Sequence, residues 1–194
     1  MADMYETEMS AALAALQQGI YVVLPTEIGW QIACDATNEK SVCGLINTLR
    51  KHTLSFNYEV LMESEQQVLQ HVASIDLALF DYLEEQHNPT TVILNDVIGL
   101  ADECLSSEEV EGVPIRICKD VLCKQLIKRF RKPILACSMQ VSQNNDASES
   151  FKIPQFIKDE IAYVLLSPYS QIPSFKKAKR IAWLVDGSYR VLEA

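Results

Sequence analysis

Residues 22–36 read VVLPTEIGWQIACDA. A run of β-branched and apolar residues is cut by Pro25-Thr26-Glu27, and Gly29-Trp30 opens a second run. A plain strand interior would not carry a proline, and a plain turn would be richer in glycine, asparagine or aspartate. The stretch predicts two buried strands, IYVVLPT and WQIACDA, with Thr26 where the first one ends. Thr26 has two readings there. It is an ordinary turn residue, or a hydroxyl, donor and acceptor at once, facing a small ligand.

Working outward, Met9, Leu13 and Leu16 recur at helical spacing ahead of this pair, with Gly19 as the stop. Behind it, residues 38–51 put Val42, Leu45, Ile46 and Leu49 on one helical face, with Asn38 as N-cap. NYEVLM predicts a strand, residues 64–86 one or two helices, and TTVILN and VPIRIC two β-branched strands. Residues 119–132 predict a basic amphipathic helix, Leu122, Leu126 and Phe130 inward and Lys124, Lys128 and Arg131 outward. KPILACS, AYVLLS, RIAWLV and YRVL read as strands, 143–150 as a polar loop and 154–161 as a helix. Strands and helices alternate without a long repeat or a Pro/Ser-rich linker. This predicts an α/β fold, one domain over residues 1–194, built on a twisted mixed or parallel open sheet with flanking helices.

The 194 residues are 48% hydrophobic and 22% charged, the balance of an ordinary globular chain. No apolar run approaches the roughly 18 residues of a membrane span. The acidic opening MADMYETEMS has no basic n-region, so a cytoplasmic protein is expected. Six cysteines without a Cys-x-x-Cys read as buried free thiols, and His52, His71 and His87 lack zinc-like spacing. No metal is expected. Six glycines leave no room for a Gly-rich phosphate loop, and neither Gly-x-Ser-x-Gly nor His-Glu-x-x-His occurs. Any nucleotide must then be held by side chains and helix ends. The net charge of −9 divides unevenly: residues 1–115 carry three basic against 19 acidic residues, and residues 116–194 carry a surplus of seven positive charges. Either the second half presents a phosphate or RNA surface, or the halves interleave and average out.

Three further positions stand out. Arg50 and Lys51 close the second helix, where the helix dipole alone would favour them. Arg116 sits inside the apolar VPIRIC, where an unpaired charge is expensive, so it faces solvent, an acidic partner or a ligand. Ser138 follows the KPILAC strand, either capping the next turn or lying at the ligand edge of an α/β sheet.

In order and spacing these pieces resemble the YrdC/YciO family, whose best-known activity joins threonine, bicarbonate and ATP into threonylcarbamoyl-AMP on the route to a modified tRNA adenosine. The resemblance runs from about residue 9 to the end. LPTEIGWQIACDA resembles the family's Pro-Thr-Asp stretch, and Gly29, Trp30 and Cys34 are closer to the YciO branch. TLRKHT lies at the Lys-x-Arg, HNPTTVIL at the Pro-Gly-Pro-Leu-Thr strand with Thr91 at its threonine, and GVPIRIC at the Arg-x-Pro with Arg116 at its arginine. PILACSMQVSQ resembles Ser-Ala-Asn-x-Ser-Gly, with Ser138 and Ser142 at the serines and Gln140 at the asparagine. The resemblance implies a cavity for a nucleotide or a threonine-like molecule lined by Thr26, Trp30, Arg50, Lys51, Thr91, Arg116, Ser138, Gln140 and Ser142. It also implies ATP with magnesium if the family activity is kept, and RNA along the basic second half. The departures are Arg50-Lys51 in place of the Lys-x-Arg, His87-Asn88 for Pro-Gly, Cys118 for the proline after Arg116, Gln143 for the closing glycine and Glu193 for a C-terminal arginine. They imply weak or lost catalysis. Two other functions stand beside this one: a working threonylcarbamoyl-AMP synthase, and a non-enzymatic interaction protein on the same fold.

Overall fold

The two runs around Thr26 form an antiparallel hairpin, β1 (Tyr21–Thr26) and β2 (Gly29–Asp35), closed by Glu27 and Ile28 with Thr26 paired to Gly29. The Thr26 hydroxyl donates to the Gly29 carbonyl at 3.0 Å and accepts the Ile28 N–H at 3.4 Å, so the side chain helps to close the turn. Gly29 has φ 140°, which side-chain-bearing residues rarely adopt. All six residues of β1 are buried, as a strand covered on both faces requires. The parallel partner of β1, β7 (Ile161–Val164), is paired through Val23, short of Pro25 and its missing N–H.

The computed structural model describes residues 2–52, 56–105, 112–138, 158, 161–165, 178–184 and 186–193. The other strands are β3 (Tyr58–Met62), β4 (Thr90–Leu94), β5 (Val113–Ile117), β6 (Ile134–Ser138), β8 (Lys179–Trp183) and β9 (Tyr189–Glu193). They join in one sheet of order β7-β1-β2-β6-β3-β5-β4-β8-β9, with parallel pairing at β1/β7, β3/β5 and β4/β8 and antiparallel pairing elsewhere. The expected α/β sheet with flanking helices is present, and it is mixed. No helix among the described residues is long and apolar enough to cross a membrane.

Helices α1 (Ala2–Gln17) and α5 (Val121–Phe130) cover one face, where Met9, Leu16, Leu122, Leu126 and Ile127 pack on Val22, Leu24, Ala33, Leu61 and Ala136. Each fully buried leucine or isoleucine there contributes about 1.5–3 kcal/mol. Helices α2 (Glu39–His52), α3 (Glu65–His71) and α4 (Ala78–Glu85) cover the other face over Val23, Ile32, Val60, Met62 and Val92. Asn38 caps α2 as expected, its Oδ1 accepting the Ser41 N–H at 3.1 Å. Helix α5 is shorter than 119–132: Asp120 caps its start through the Cys123 N–H at 2.8 Å, and Arg131 ends it in the left-handed conformation at φ 62°. Ile161, expected to end a helix, opens strand β7 instead; the rest of the 154–161 helix, apart from Lys158, and the 143–150 loop lie outside the described residues.

Candidate functional site

The α1/α5 face of the sheet is apolar at one end and polar at the other. Register explains why. Leu24 pairs with Gln31 and Gln31 with Ser138, while Glu59 pairs with Ala136 and Leu61 with Arg116. Side chains alternate along a strand, so Gln31, Ser138, Glu59 and Arg116 share the face that Leu24, Ala136 and Leu61 occupy one step away. Thr91, one residue before the Val92–Ile115 pair, falls beside Arg116. Five neighbouring strands, β2, β6, β3, β5 and β4, thus each contribute one polar side chain to a single row.

Arg116 is the centre of that row and is 1% exposed. Its Nε and Nη2 bind Glu59 in a fork, at 3.0 Å to Oε2 and 2.7 Å to Oε1, and Nη2 also donates to Gln31 Oε1 at 3.2 Å. Gln31 Nε2 donates to Glu59 Oε1 at 2.9 Å and reaches Ser138 Oγ at 3.4 Å. The Thr91 hydroxyl donates to Glu59 Oε2 at 2.6 Å. The remaining guanidinium nitrogen, Nη1, is in ionic contact with Glu27 from the β1–β2 turn, although it makes no well-directed hydrogen bond. Glu27 is itself fixed, accepting the Lys119 N–H at 3.1 Å and facing the Cys118 thiol at 3.5 Å.

These contacts decide the protonation states. Burial by itself would raise both carboxyls, but the Arg116 charge outweighs it and holds Glu59 and Glu27 below the ordinary 4.5. Burial likewise works against the Arg116 cation, and the two carboxylates more than restore it. All three groups are therefore charged at neutral pH, and the row, counted with Glu27 of the turn that joins it, carries one positive and two negative charges. A lone buried ion is untenable, whereas an arginine forked onto one carboxylate and in ionic contact with a second is tolerated. The unassigned members of the row, Glu27, Gln31 and Glu59, were missed by motif reading. One signal was available: Glu59 in NYEVLM and Arg116 in VPIRIC are opposite charges, each inside an apolar strand.

Of the residues expected to line one cavity, Thr91, Arg116 and Ser138 belong to this row, and Thr26 lies on the same face at the end of β1. Trp30 does not join them. One residue before Gln31, it points the other way and packs on the opposite core with Phe56 and Tyr58. Arg50 and Lys51 end α2 on that opposite side and are exposed. The hydroxyl of Tyr58, the first residue of β3, has its pKa pushed up to about 12 by burial, against the pull of the Arg50 and Arg180 charges. Gln140 and Ser142 lie outside the described residues, and so does the side chain of Glu193. The described part of the row offers a ligand the half-buried Ser138 hydroxyl beside an internally neutralised arginine.

Comparison with known proteins agrees with this architecture. Sua5 of P. abyssi, in a doubly substituted form, superposes with a TM-score of 0.69 at 16% identity, over 96% of this chain and 56% of that one. YciO of E. coli gives 0.68 at 15% identity, over 95% of this chain and 87% of that one. Full-length HypF in a phosphate- and nucleotide-bound form gives 0.67 at 17% identity, over 95% of this chain and 28% of that one. The chain thus spans about half of Sua5, about a quarter of HypF and most of YciO. A second Sua5 structure of P. abyssi, complexed with L-threonine, matches at 0.66 and 16% identity. Among curated proteins, none matches the sequence. The family model Sua5/YciO/YrdC, described as telomere recombination, matches residues 14–192, nearly the whole chain, and this protein therefore belongs to the Sua5/YciO/YrdC family.

Proposed function

We propose that this protein binds a nucleotide or threonine-like small molecule on the polar end of its sheet, in connection with threonylcarbamoyl-adenosine metabolism, and that its threonylcarbamoyl-AMP synthesis is weak or lost. The ligand class is supported by relatives crystallised with L-threonine and with phosphate and nucleotide. The weak catalysis rests on one observation. Arg116, the arginine a polyphosphate would need, is buried and shared between Glu59 and Glu27. A row with one more negative than positive charge opposes the charge that develops during adenylyl transfer. At about 4 Å each such unit interaction is worth roughly 4 kcal/mol at an effective dielectric of 20. Magnesium, if ATP binds, travels with the phosphates. Among the described residues, no group of three or more His, Cys, Asp or Glu is arranged to hold a metal.

ATP–pyrophosphate exchange dependent on threonine and bicarbonate tests the catalytic half of the proposal, and exchange at the rate of an authentic synthase would refute it. A thermal-shift comparison of threonine, AMP and ATP tests the binding half. Threonine and AMP should raise the melting temperature more than ATP does. A second reading, contact with RNA phosphates, rests on Lys124 and Lys128, exposed one turn apart on α5 without an ion pair among the described residues. If both lysines touch single-stranded RNA, replacing them by glutamine should flatten log K against log salt by about 0.7 per contact.

A further inference from the structure

A second concentration of polar groups lies between α3 and the end of α5, sharing no residue with the row around Arg116. Here a groove of about 210 Å³ has Glu63, Gln66, Gln67 and Gln70 on one side and Lys128 and Arg131 on the other. Gln67 is 6% exposed. Its Oε1 accepts the Glu63 N–H at 2.8 Å, which fixes the orientation of the amide. Its Nε2 is then left as a donor, with no acceptor among the described residues. This donor opens into the groove rather than being sealed from it, and is available to an acceptor that enters there. Lys128 and Arg131 likewise form no ion pair among the described residues. Arg131 is held at the groove by its left-handed backbone, its N–H bonded to the Ile127 carbonyl at 2.8 Å.

A guanidinium, an ammonium and a fixed amide donor around one small concavity form the donor set of an oxyanion site. Other features narrow the ligand. The volume lies below the roughly 300–1,000 Å³ of drug-sized pockets, so the occupant is small. Glu63 spends Oε1 on the Ser64 hydroxyl at 2.7 Å and keeps Oε2 as an acceptor for a hydroxyl group. That carboxylate, together with a donor sunk below the surface at Gln67, favours a small molecule over an RNA backbone, whose phosphates would meet only the exposed ridge. We propose that the groove between α3 and α5 binds a small phosphate ester, its phosphate between Lys128, Arg131 and Gln67 Nε2 and its hydroxyl-bearing part toward Glu63.

Isothermal titration of the full chain with glycerol phosphate, inorganic phosphate and glycerol tests the assignment. The ester should bind more tightly than phosphate, and glycerol should not bind. Two variants remove donors without disturbing the local fold. Arg131→Gly places at φ 62° the residue that adopts it most readily. Lys128→Gln removes the exposed ammonium at the groove and keeps a good helix former in its place. Each should weaken the ester by about tenfold or more, the effect of losing one charge-assisted hydrogen bond, with no loss of melting temperature. A dissociation constant above about 1 mM for the ester overturns the proposal. So does binding that neither variant changes, and so does an RNA oligonucleotide that binds through Lys128 and Arg131 when the ester does not.

Discussion

Arg116 and Arg131 both belong to the basic second half of the chain, and the fold treats them in opposite ways. Arg116 is sealed in the sheet with two carboxylates, while Arg131 ends a helix beside a groove and pairs with none among the described residues. The difference shows that the charge surplus of a segment says little about the charge it can present. Every ion pair among the described residues joins an acidic residue of the first half to a basic one of the second: Glu27 and Glu59 to Arg116, Glu6 to Arg129, and Asp35 to Lys132. The imbalance between the halves is to that extent spent in holding them together. The cations left without an acidic partner are the ones available to an anion.

If burial and pairing separate the two arginines, removing Arg116 should have the largest effect in the molecule. Arg116→Met leaves Glu59 and Glu27 facing each other without a counter-charge, and should cost about 3–5 kcal/mol in urea denaturation at neutral pH. The pH dependence gives the sharper signature. In the native protein Glu59 lies below its ordinary value, so its contribution is present above pH 4.5 and fades as pH falls through the folded value. Without Arg116, burial is no longer offset and the carboxyl moves above that value. Its penalty is then greatest at neutral pH and relieved by acid. The gap between the two proteins should narrow as pH falls toward 4; a gap independent of pH would mean that packing, not charge, dominates the site.

A smaller effect is expected at the turn. Glu27→Gln keeps the shape of the side chain and removes its charge, and should cost about 1.5–3 kcal/mol, the worth of a hydrogen bond to a charged group. Because Glu27 is also held below its ordinary 4.5, the acid limb of stability should become shallower in the variant. The row would then hold equal positive and negative charge, so AMP, if it binds there, should bind more tightly than to the native protein. Weaker AMP binding would place Glu27 in direct contact with the ligand.

Much of this was legible in the sequence, for identifiable reasons. VVLPT and WQIACDA declared themselves as strands because burial on both faces leaves nearly unbroken apolar runs, and α5 did so because a half-buried helix must alternate its faces. Thr91, Arg116 and Ser138 were picked out through family motifs, and the sheet register sets them in one row, linked through Glu59 and Gln31. The same resemblance put Trp30 in that space, but strand alternation puts it on the other face. That parity was readable from Gln31 once the hairpin register was known. Glu59 was hidden for a different reason. Its partner Arg116 is 57 residues away, and the parallel β3/β5 pairing that brings them together is set by the whole sheet rather than by either segment.

The smallest effect belongs to a pair whose geometry matches that of Arg116 and Glu59. Glu6 on α1 receives a fork from Arg129 on α5, at 2.7 and 2.8 Å, no longer than the fork between Arg116 and Glu59. Their side chains are 55% and 39% exposed. The hydrogen bonds from Arg129 hold Glu6 below its ordinary value, so the pair is formed and charged at neutral pH. Water nevertheless competes for both partners, and ordering two long side chains costs conformational entropy. Glu6→Gln should leave the denaturation midpoint almost where it was. Any residual shift should vanish in 1 M salt, where the screening length falls to about 3 Å. The Arg116→Met defect, sealed from solvent, should survive the same salt. Should Glu6→Gln instead destabilise the protein as much as Glu27→Gln, contact geometry would outweigh burial, and the reason given for the contrast between Arg116 and the exposed cations would fail.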